Sequence, residues 1–311
     1  MLDVRRLRVL RELAARGTIA ATADALGYTA PAVSQQLAAL EREAGVALLE
    51  RNGRRRRLTP AGEELVARTE GILRQLEAAE AALERTTTHV AGVLRCAAFA
   101  SAHRVLLPRA IATLAARHPD LGVTTLDLEP EQSLPALKLG ELDLALAQEY
   151  AFAPNPPDAA LERTELADDL LRVALPEHHP LAEQDEVDVA ELDAEPWVAG
   201  REGSFCHLVV IHSARRAGFE PRLAHITNDF SVAYALVAAG AGVALVPELA
   251  GPPPPGVAVR RIAGAPPSRR IYAAVRAGSG ARPAVAAMLA ALTVGSRAAD
   301  DSRPPRVTET Q

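Results

Sequence analysis

The chain has 311 residues, 49% of them hydrophobic, and a formal net charge of −5; that length is more than one ordinary core and predicts two or three packing units. It contains no uncharged apolar run of about 18 residues, which excludes a membrane span, and the opening Met1-Leu2-Asp3-Val4-Arg5 lacks the apolar core of a signal peptide. The only two cysteines, Cys96 and Cys206, lie far apart in sequence, which excludes a disulfide framework and fits a reducing cytoplasm. The acidic total hides an uneven distribution. Residues 1–60 hold eleven arginines against six acids, a net +5, so the remainder carries −10. Affinity for nucleic acid is therefore expected only in a small basic N-terminal module on a larger acidic body.

Residues 3–16 read as a helix, with Asp3 as cap and Val4, Leu7, Leu10 and Ala14 at helical spacing. Gly17 stops it, and Thr18 caps a second short helix carrying Ile19, Ala23 and Leu26. After the break at Gly27-Tyr28, Thr29 caps a third helix running to Ala44, with Gly45 as its stop. Asn52-Gly53 between short extended runs predicts a hairpin. Thr59-Pro60 then starts a fourth helix reaching about Thr86. Its Leu65, Ile72, Leu76, Ala79 and Leu83 form a coiled-coil-like seam. At ~1.5 Å per residue such a helix is roughly 40 Å long, suited to join two copies of the chain.

From Val90 the pattern alternates. Strands are expected over 93–99, 123–128 and 142–147, with helices over 102–117 and 134–139 between them: a βαβαβ signature for a mostly parallel sheet. The proline-rich stretch 153–157 marks a crossover. A second set follows, with strands near 161–167, 170–175, 197–199, 223–226 and 243–246, and helices near 204–217 and 231–239. Residues 251–256 read as a Gly/Pro loop, 270–275 as a strand and 283–292 as a last helix. The expected organisation is a DNA-binding domain over 1–60, a linker (dimerisation) helix over 61–88, a two-lobed effector domain over 89–295 and a disordered tail over 296–311.

The third helix carries the first functional signal. Val33, Leu37, Leu40 and Ala44 fall on one stripe that must face a core. The opposite stripe is Pro31, Gln35, Ala38 and Arg42, with Ser34 on its flank. Glutamine can hydrogen-bond adenine N6 and N7 together, and serine can reach base or phosphate. Small neighbours such as Ala30 and Pro31 let the helix sit deep in a major groove. Arg54, Arg55, Arg56 and Arg57 on the hairpin would grip phosphates or enter the adjacent minor groove. A polar face opposite an apolar stripe is also the default for any surface helix. It is the order of helix, glycine turn, capped helix, hairpin and arginine wing that is specific.

These residues resemble the LysR-type transcriptional regulators. The similarity runs through Arg16-Gly17-Thr18, through Leu26-Gly27-Tyr28-Thr29-Ala30-Pro31-Ala32-Val33-Ser34-Gln35-Gln36-Leu37, and through Leu58-Thr59-Pro60-Ala61-Gly62. It is close over residues 2–65 and looser at Gly140-Glu141-Leu142-Asp143-Leu144-Ala145 and Val237–Pro247. The family often has glutamine and arginine where this chain has Ala30 and Gln35. The resemblance implies an α/β protein with an N-terminal winged helix-turn-helix (all-α with a small β wing) and a two-lobed, periplasmic-binding-protein-like effector domain. It also implies a homodimer or homotetramer on double-stranded promoter DNA. The DNA-binding set is then Thr29, Ala30, Pro31, Ser34, Gln35, Arg42 and Arg54 to Arg57.

Ligands of open α/β folds sit beyond the carboxyl ends of strands, near helix N-termini. That rule selects Phe99, Ser101, Ala102, Gln132, Ser133 and Gln148 in the first lobe. In the second it selects Gly200, Arg201, Ser204, Phe205, Asn228 and Asp229. Arg201, His103 and Arg104 add positive charge, so the expected effector is a small anion, such as a carboxylate. Ser133, Ser204, Asn228 and Asp229 can equally be helix caps. No GxSxG, HExxH or P-loop pattern occurs, and His207 and His212 lie on different helix faces, so no catalytic residue, metal or cofactor is expected. The leading reading is a ligand-responsive transcriptional regulator. The alternatives are a small-molecule-binding or enzymatic α/β protein with an accessory basic module, and a nucleoid-type DNA binder without an effector.

Overall fold

The computed structural model describes residues 1–52, 55–86, 89–155 and 158–301. They divide into two compact units: residues 1–88 with 276–283, and residues 89–275 with those from 284 onward.

In the first unit, α1 (Val4–Arg16), α2 (Ile19–Leu26) and α3 (Ala30–Ala44) enclose one core. Leu7, Leu10, Leu13, Val33, Leu37, Leu40 and Leu48 form its buried centre. Each helix starts where a side chain replaces a missing backbone acceptor: Asp3, Thr18 and Thr29 accept from first-turn amides. Each ends at a glycine in the left-handed region, Gly17, Gly27 and Gly45. A hairpin follows, β1 (Leu49–Asn52) and β2 (Arg55–Leu58), with Leu49 opposite Leu58 and Asn52 opposite Arg55. Asn52 thus belongs to the strand, one residue further than the Asn-Gly signal suggested. Then α4 (Pro60–Glu84) begins on the Thr59 cap. At Gly62 a Cβ would lie 2.3 Å from the Leu48 carbonyl oxygen, so α4 can pass this close only with glycine there. Along α4, Leu73 and Ala81 are buried, whereas Ile72 and Leu83 of the expected seam are 40% and 71% exposed.

The second unit has two lobes. Lobe 1 is built from β3 (Gly92–Ala98), α5 (Ala100–Arg117), β4 (Leu121–Asp127), α6 (Pro130–Leu139) and β5 (Leu144–Tyr150). β3 pairs in parallel with both β4 and β5, as the βαβαβ pattern requires. The chain then enters β6 (Leu161–Pro176), one 16-residue strand where the sequence suggested two. Its start, through Leu161, packs in lobe 1, and its end, through Leu171, Val173 and Leu175, packs in lobe 2.

Lobe 2 adds β7 (Glu186–Val187), β8 (Pro196–Ala199), α7 (Phe205–Arg216), β9 (Arg222–Ile226), α8 (Phe230–Ala238) and β10 (Val243–Pro247). β11 (Val257–Ile262), absent from the sequence reading, pairs with β6 and β7. β12 (Ser268–Arg276) returns to lobe 1, antiparallel to β5 and next to β6 in the strand order. The crossovers therefore lie at β6 and at residues 263–267. α9 (Pro283–Asp301) closes lobe 1 and continues past the expected end at Leu292, so residues 296–301 of the expected tail are helical; residues 302–311 lie outside the described residues. Among the described residues, no helix is long and apolar enough to cross a membrane.

Candidate functional site

Two sites emerge, one in each unit. The first is the outer face of α3. Val33, Leu37 and Leu40 are buried, while Pro31, Gln35, Ala38 and Arg42 are exposed along the opposite stripe, with Thr29 and Ala30 exposed at the helix start. The helix is fixed from behind. Glu41 Oε1 accepts from the Leu48 and Leu49 amides at 2.9 and 3.0 Å, and Gln36 Oε1 accepts from Arg6 Nε at 3.1 Å. Arg6 also pairs with Glu43. One polar residue differs from the sequence reading. The Ser34 hydroxyl donates to the Ala30 carbonyl at 3.0 Å, so its proton is committed to the helix and only its oxygen can serve a ligand, as an acceptor. Arg56 and Arg57 are exposed on β2, and Arg55 lies on the same strand. Arg54 lies outside the described residues.

The second site lies where the lobes meet. Arg269, near the start of β12, is 1% exposed. Its Nε and Nη2 both donate to Asp169 Oδ2 of β6, at 3.0 and 2.7 Å. Nη1 donates to Gln148 Oε1 at 2.6 Å, and Nη2 also to Ser101 Oγ at 2.8 Å. The guanidinium stacks 5.0 Å from the centre of the Phe99 ring. Asp169 Oδ1 accepts from the Leu249 amide at 3.1 Å, so the pair is satisfied on both sides. Burial opposes the guanidinium charge, yet Asp169 and neighbouring acidic groups hold its pKa above the ordinary value.

Lobe 2 presents the N-terminus of α7 to this junction. Ser204 caps α7, and its hydroxyl donates to the Arg201 carbonyl at 2.7 Å. Asn228 Oδ1 accepts from the Arg201 amide at 2.9 Å. Gly200 sits inside this turn: a Cβ there would come within 2.5 Å of Ser204 Oγ and 2.6 Å of the Cys206 Cβ. Phe205 is buried against Tyr150, ring centres 6.0 Å apart. From lobe 1, Glu129 reaches the same region, because its carboxyl feels both Arg269 and Arg201. Burial, then the Glu131 charge, push its pKa up to about 7, against the pull of Arg269. Glu129 Oε2 and Ser133 Oγ are buried without a hydrogen-bond partner.

The structure thus brings together Phe99, Ser101 and Gln148, and separately Gly200, Arg201, Ser204 and Asn228. Three expected residues are placed otherwise. Ala102 is fully buried in the lobe 1 core that also holds Leu106 and Met288, because its face of α5 is the packing face. Gln132 is exposed on α6. Asp229 is exposed and spends Oδ1 on the Ser231 amide as the cap of α8. His103 and Arg104 are held by other partners: His103 Nε2 bonds Thr125 Oγ1 at 3.0 Å and Arg104 bonds the Ala250 carbonyl. Sequence reasoning missed Arg269, Asp169 and Glu129. A groove of about 300 Å³ in lobe 2, lined by Arg172, Glu183, Asp185, Val259, Arg260 and Arg261, contains none of the cleft residues. No group of three or more metal-ligating side chains exists among the described residues.

Two known protein families match separate stretches of the chain. Residues 4–63 match the bacterial regulatory helix-turn-helix protein, lysR family. Residues 87–295 match the LysR substrate binding domain. A probable hydrogen peroxide-inducible genes activator of Mycobacterium avium is 30% identical over 279 residues, 88% of each chain. A full-length OxyR variant from Pseudomonas aeruginosa has the same fold, with a TM-score of 0.67 at 22% identity, covering 94% of this chain and 95% of that one. Full-length CbnR, solved in complex with its target DNA, aligns with a TM-score of 0.54 at 25% identity, over 95% of this chain and all of that one. The chain belongs to the LysR family of DNA-binding transcriptional regulators that respond to small-molecule effectors.

Proposed function

We propose that this regulator reads its operator with the exposed stripe of α3 and senses its effector in the cleft around Arg269. Gln35 is the base-reading residue, and Thr29, Pro31, Ser34 and Arg42 set its depth and register. Arg54 to Arg57 hold the phosphates beside the recognition helix. The observation that carries the sensing half is the Arg269 knot. It ties β12 and β6, the strands that join the lobes, to Ser101 and Gln148 of lobe 1. A ligand touching that knot and the α7 turn at once would bias the angle between the lobes, a population shift between two arrangements.

The exposed seam of α4, with Ile72 and Leu83 uncovered, supports pairing of two copies through this helix. The protein works in the cytoplasm as a binding protein, not an enzyme. Burial pushes the thiols of Cys96 and Cys206 up to about 12.

The test is footprinting on the chain's own promoter region with wild type and Gln35→Ala. The expected result is a protected operator that the variant loses while its melting temperature is unchanged. Equal protection of all sequences by both proteins would overturn the reading.

A further inference from the structure

The cleft holds two carboxylates with opposite circumstances, Asp169 buried and Glu129 half-buried. Asp169 is saturated by Arg269 and a backbone amide. Glu129, which precedes α6, has an Oε2 with no partner and no exposed surface. One helical turn on, Ser133 is completely buried, and its hydroxyl also lacks a partner. A buried carboxylate oxygen and a buried hydroxyl without partners are each costly, and native chains keep them where something else completes them. The charges around Glu129 say what that is. Asp127 from β4, Glu131 from α6, Arg269 from β12 and Arg201 from the β8–α7 turn act on it. Glu129 in turn acts on Cys206 of α7 and Tyr150 of β5. Together with Asp169, four carboxylates stand against two guanidiniums, and the buried guanidinium is already spoken for. Such a site repels a carboxylate and attracts a cation that donates hydrogen bonds.

We infer that Glu129 is the specificity-determining residue of the cleft and that the effector is a small organic ammonium compound, its N–H groups donating to Glu129 Oε2 and Ser133 Oγ. The inference rests on the reading that this cleft is the effector site, and it replaces the anion expected from helix N-termini and nearby basic residues. It also predicts a pH dependence. Glu129 must be ionised to pair with the ammonium, so binding strengthens as pH rises through about 7. His207, adjacent to Cys206 on α7, has a buried unpartnered Nδ1, so the variant rather than the pH profile alone assigns the effect.

The experiment is a thermal-shift and calorimetric panel on the full-length protein. Small primary amines and diamines are paired with carboxylates of the same carbon skeleton, at pH 6 and pH 8. The expected result is that at least one amine raises the Tm of wild type, more at pH 8 than at pH 6, and that no carboxylate does. Glu129→Gln, which keeps shape and removes charge, should weaken that amine at least about tenfold; Glu129→Asp should retain part of the response, and Gln148→Ala should alter it. If carboxylates shift the Tm of wild type and of Glu129→Gln alike, and Gln148→Ala loses that shift, the cleft stands and the ammonium inference falls. If no compound of either kind shifts the Tm, both readings fall.

Discussion

The recognition face and the effector cleft use polar side chains in opposite ways. On the outer stripe of α3 the polar residues Gln35 and Arg42 are exposed, and their proposed partners lie outside the chain. In the cleft the polar residues are buried and mostly committed to one another: Arg269 alone engages Asp169, Gln148, Ser101 and Phe99. Changes on the first face should therefore alter binding and leave stability alone. Changes in the second should cost stability before they reveal anything about the ligand.

The largest effect should come from Arg269→Met. The substitution keeps the apolar stem and leaves Asp169, Gln148 and Ser101 without their partner. Breaking a buried pair from one side costs about 3–5 kcal/mol, because the remaining carboxylate stays buried and unpaired. Denaturant unfolding followed through Trp197, fully buried in lobe 2, should show that loss. The double variant Arg269→Met, Asp169→Leu should recover much of it. A single variant as stable as wild type would mean that the knot does not hold the lobes.

Next comes Gly200→Ala. The added methyl would meet Ser204 Oγ at 2.5 Å and the Cys206 Cβ at 2.6 Å, and neither is the end of a long, flexible chain. Overpacking of this kind costs about 1–3 kcal/mol. It should also loosen the α7 turn, since Ser204 and Asn228 must shift. Exchange of the Arg201 amide, now bonded to Asn228 at 2.9 Å, would be faster in the variant than in wild type.

The same contrast explains what the sequence disclosed. The α3 stripe was legible because a 3.6-residue period assigns faces without any distant partner, and Thr29, Pro31 and Gly45 mark both ends of that helix. The Ser34 back-bond was not, because whether a hydroxyl turns back to its own helix leaves no pattern in composition. The two lobes were legible from alternating strands and helices. Arg269 was not, because its partners lie 100, 121 and 168 residues away. Asp169 concealed itself in another way. Asp168 and Asp169 interrupt an apolar run, so β6 reads as two strands with a turn between them. Its charge is inside the strand because Arg269 is there to meet it. β11 was lost behind the Gly/Pro loop at 251–256 that leads into it.

On the recognition face, Gln35→Ala should cost about 1–3 kcal/mol of operator affinity, with loss of discrimination at one base pair. Its effect on unfolding should stay within about 0.5 kcal/mol, since the side chain is exposed. Arg56→Ala should instead weaken binding to all sequences. It should reduce the slope of log affinity against log salt by about one, the signature of a single phosphate contact. A Gln35 variant that lost affinity equally for every sequence would reassign that residue from reading to positioning.

The smallest effect tests Glu129, whose Oε2 is buried without a partner. Glu129 has its pKa raised from 4.5 to about 7, first by burial and then by Glu131. In the native state it therefore resists losing its proton more than it does in the unfolded chain. The unfolded chain releases that proton as pH passes 4.5 and the native state only near 7, so wild type loses stability across this window and the loss is complete above it. Glu129→Gln never ionises. It should match wild type near pH 4, become relatively more stable as pH rises, and level off above about pH 7.5. The full shift would correspond to about 3 kcal/mol, but the residue is only partly buried and solvent screening reduces this to about 1–2 kcal/mol. Denaturant midpoints of the two proteins from pH 4 to pH 8 measure the difference directly. Parallel curves would mean that Glu129 is already compensated in the free protein, and would count against the ammonium inference.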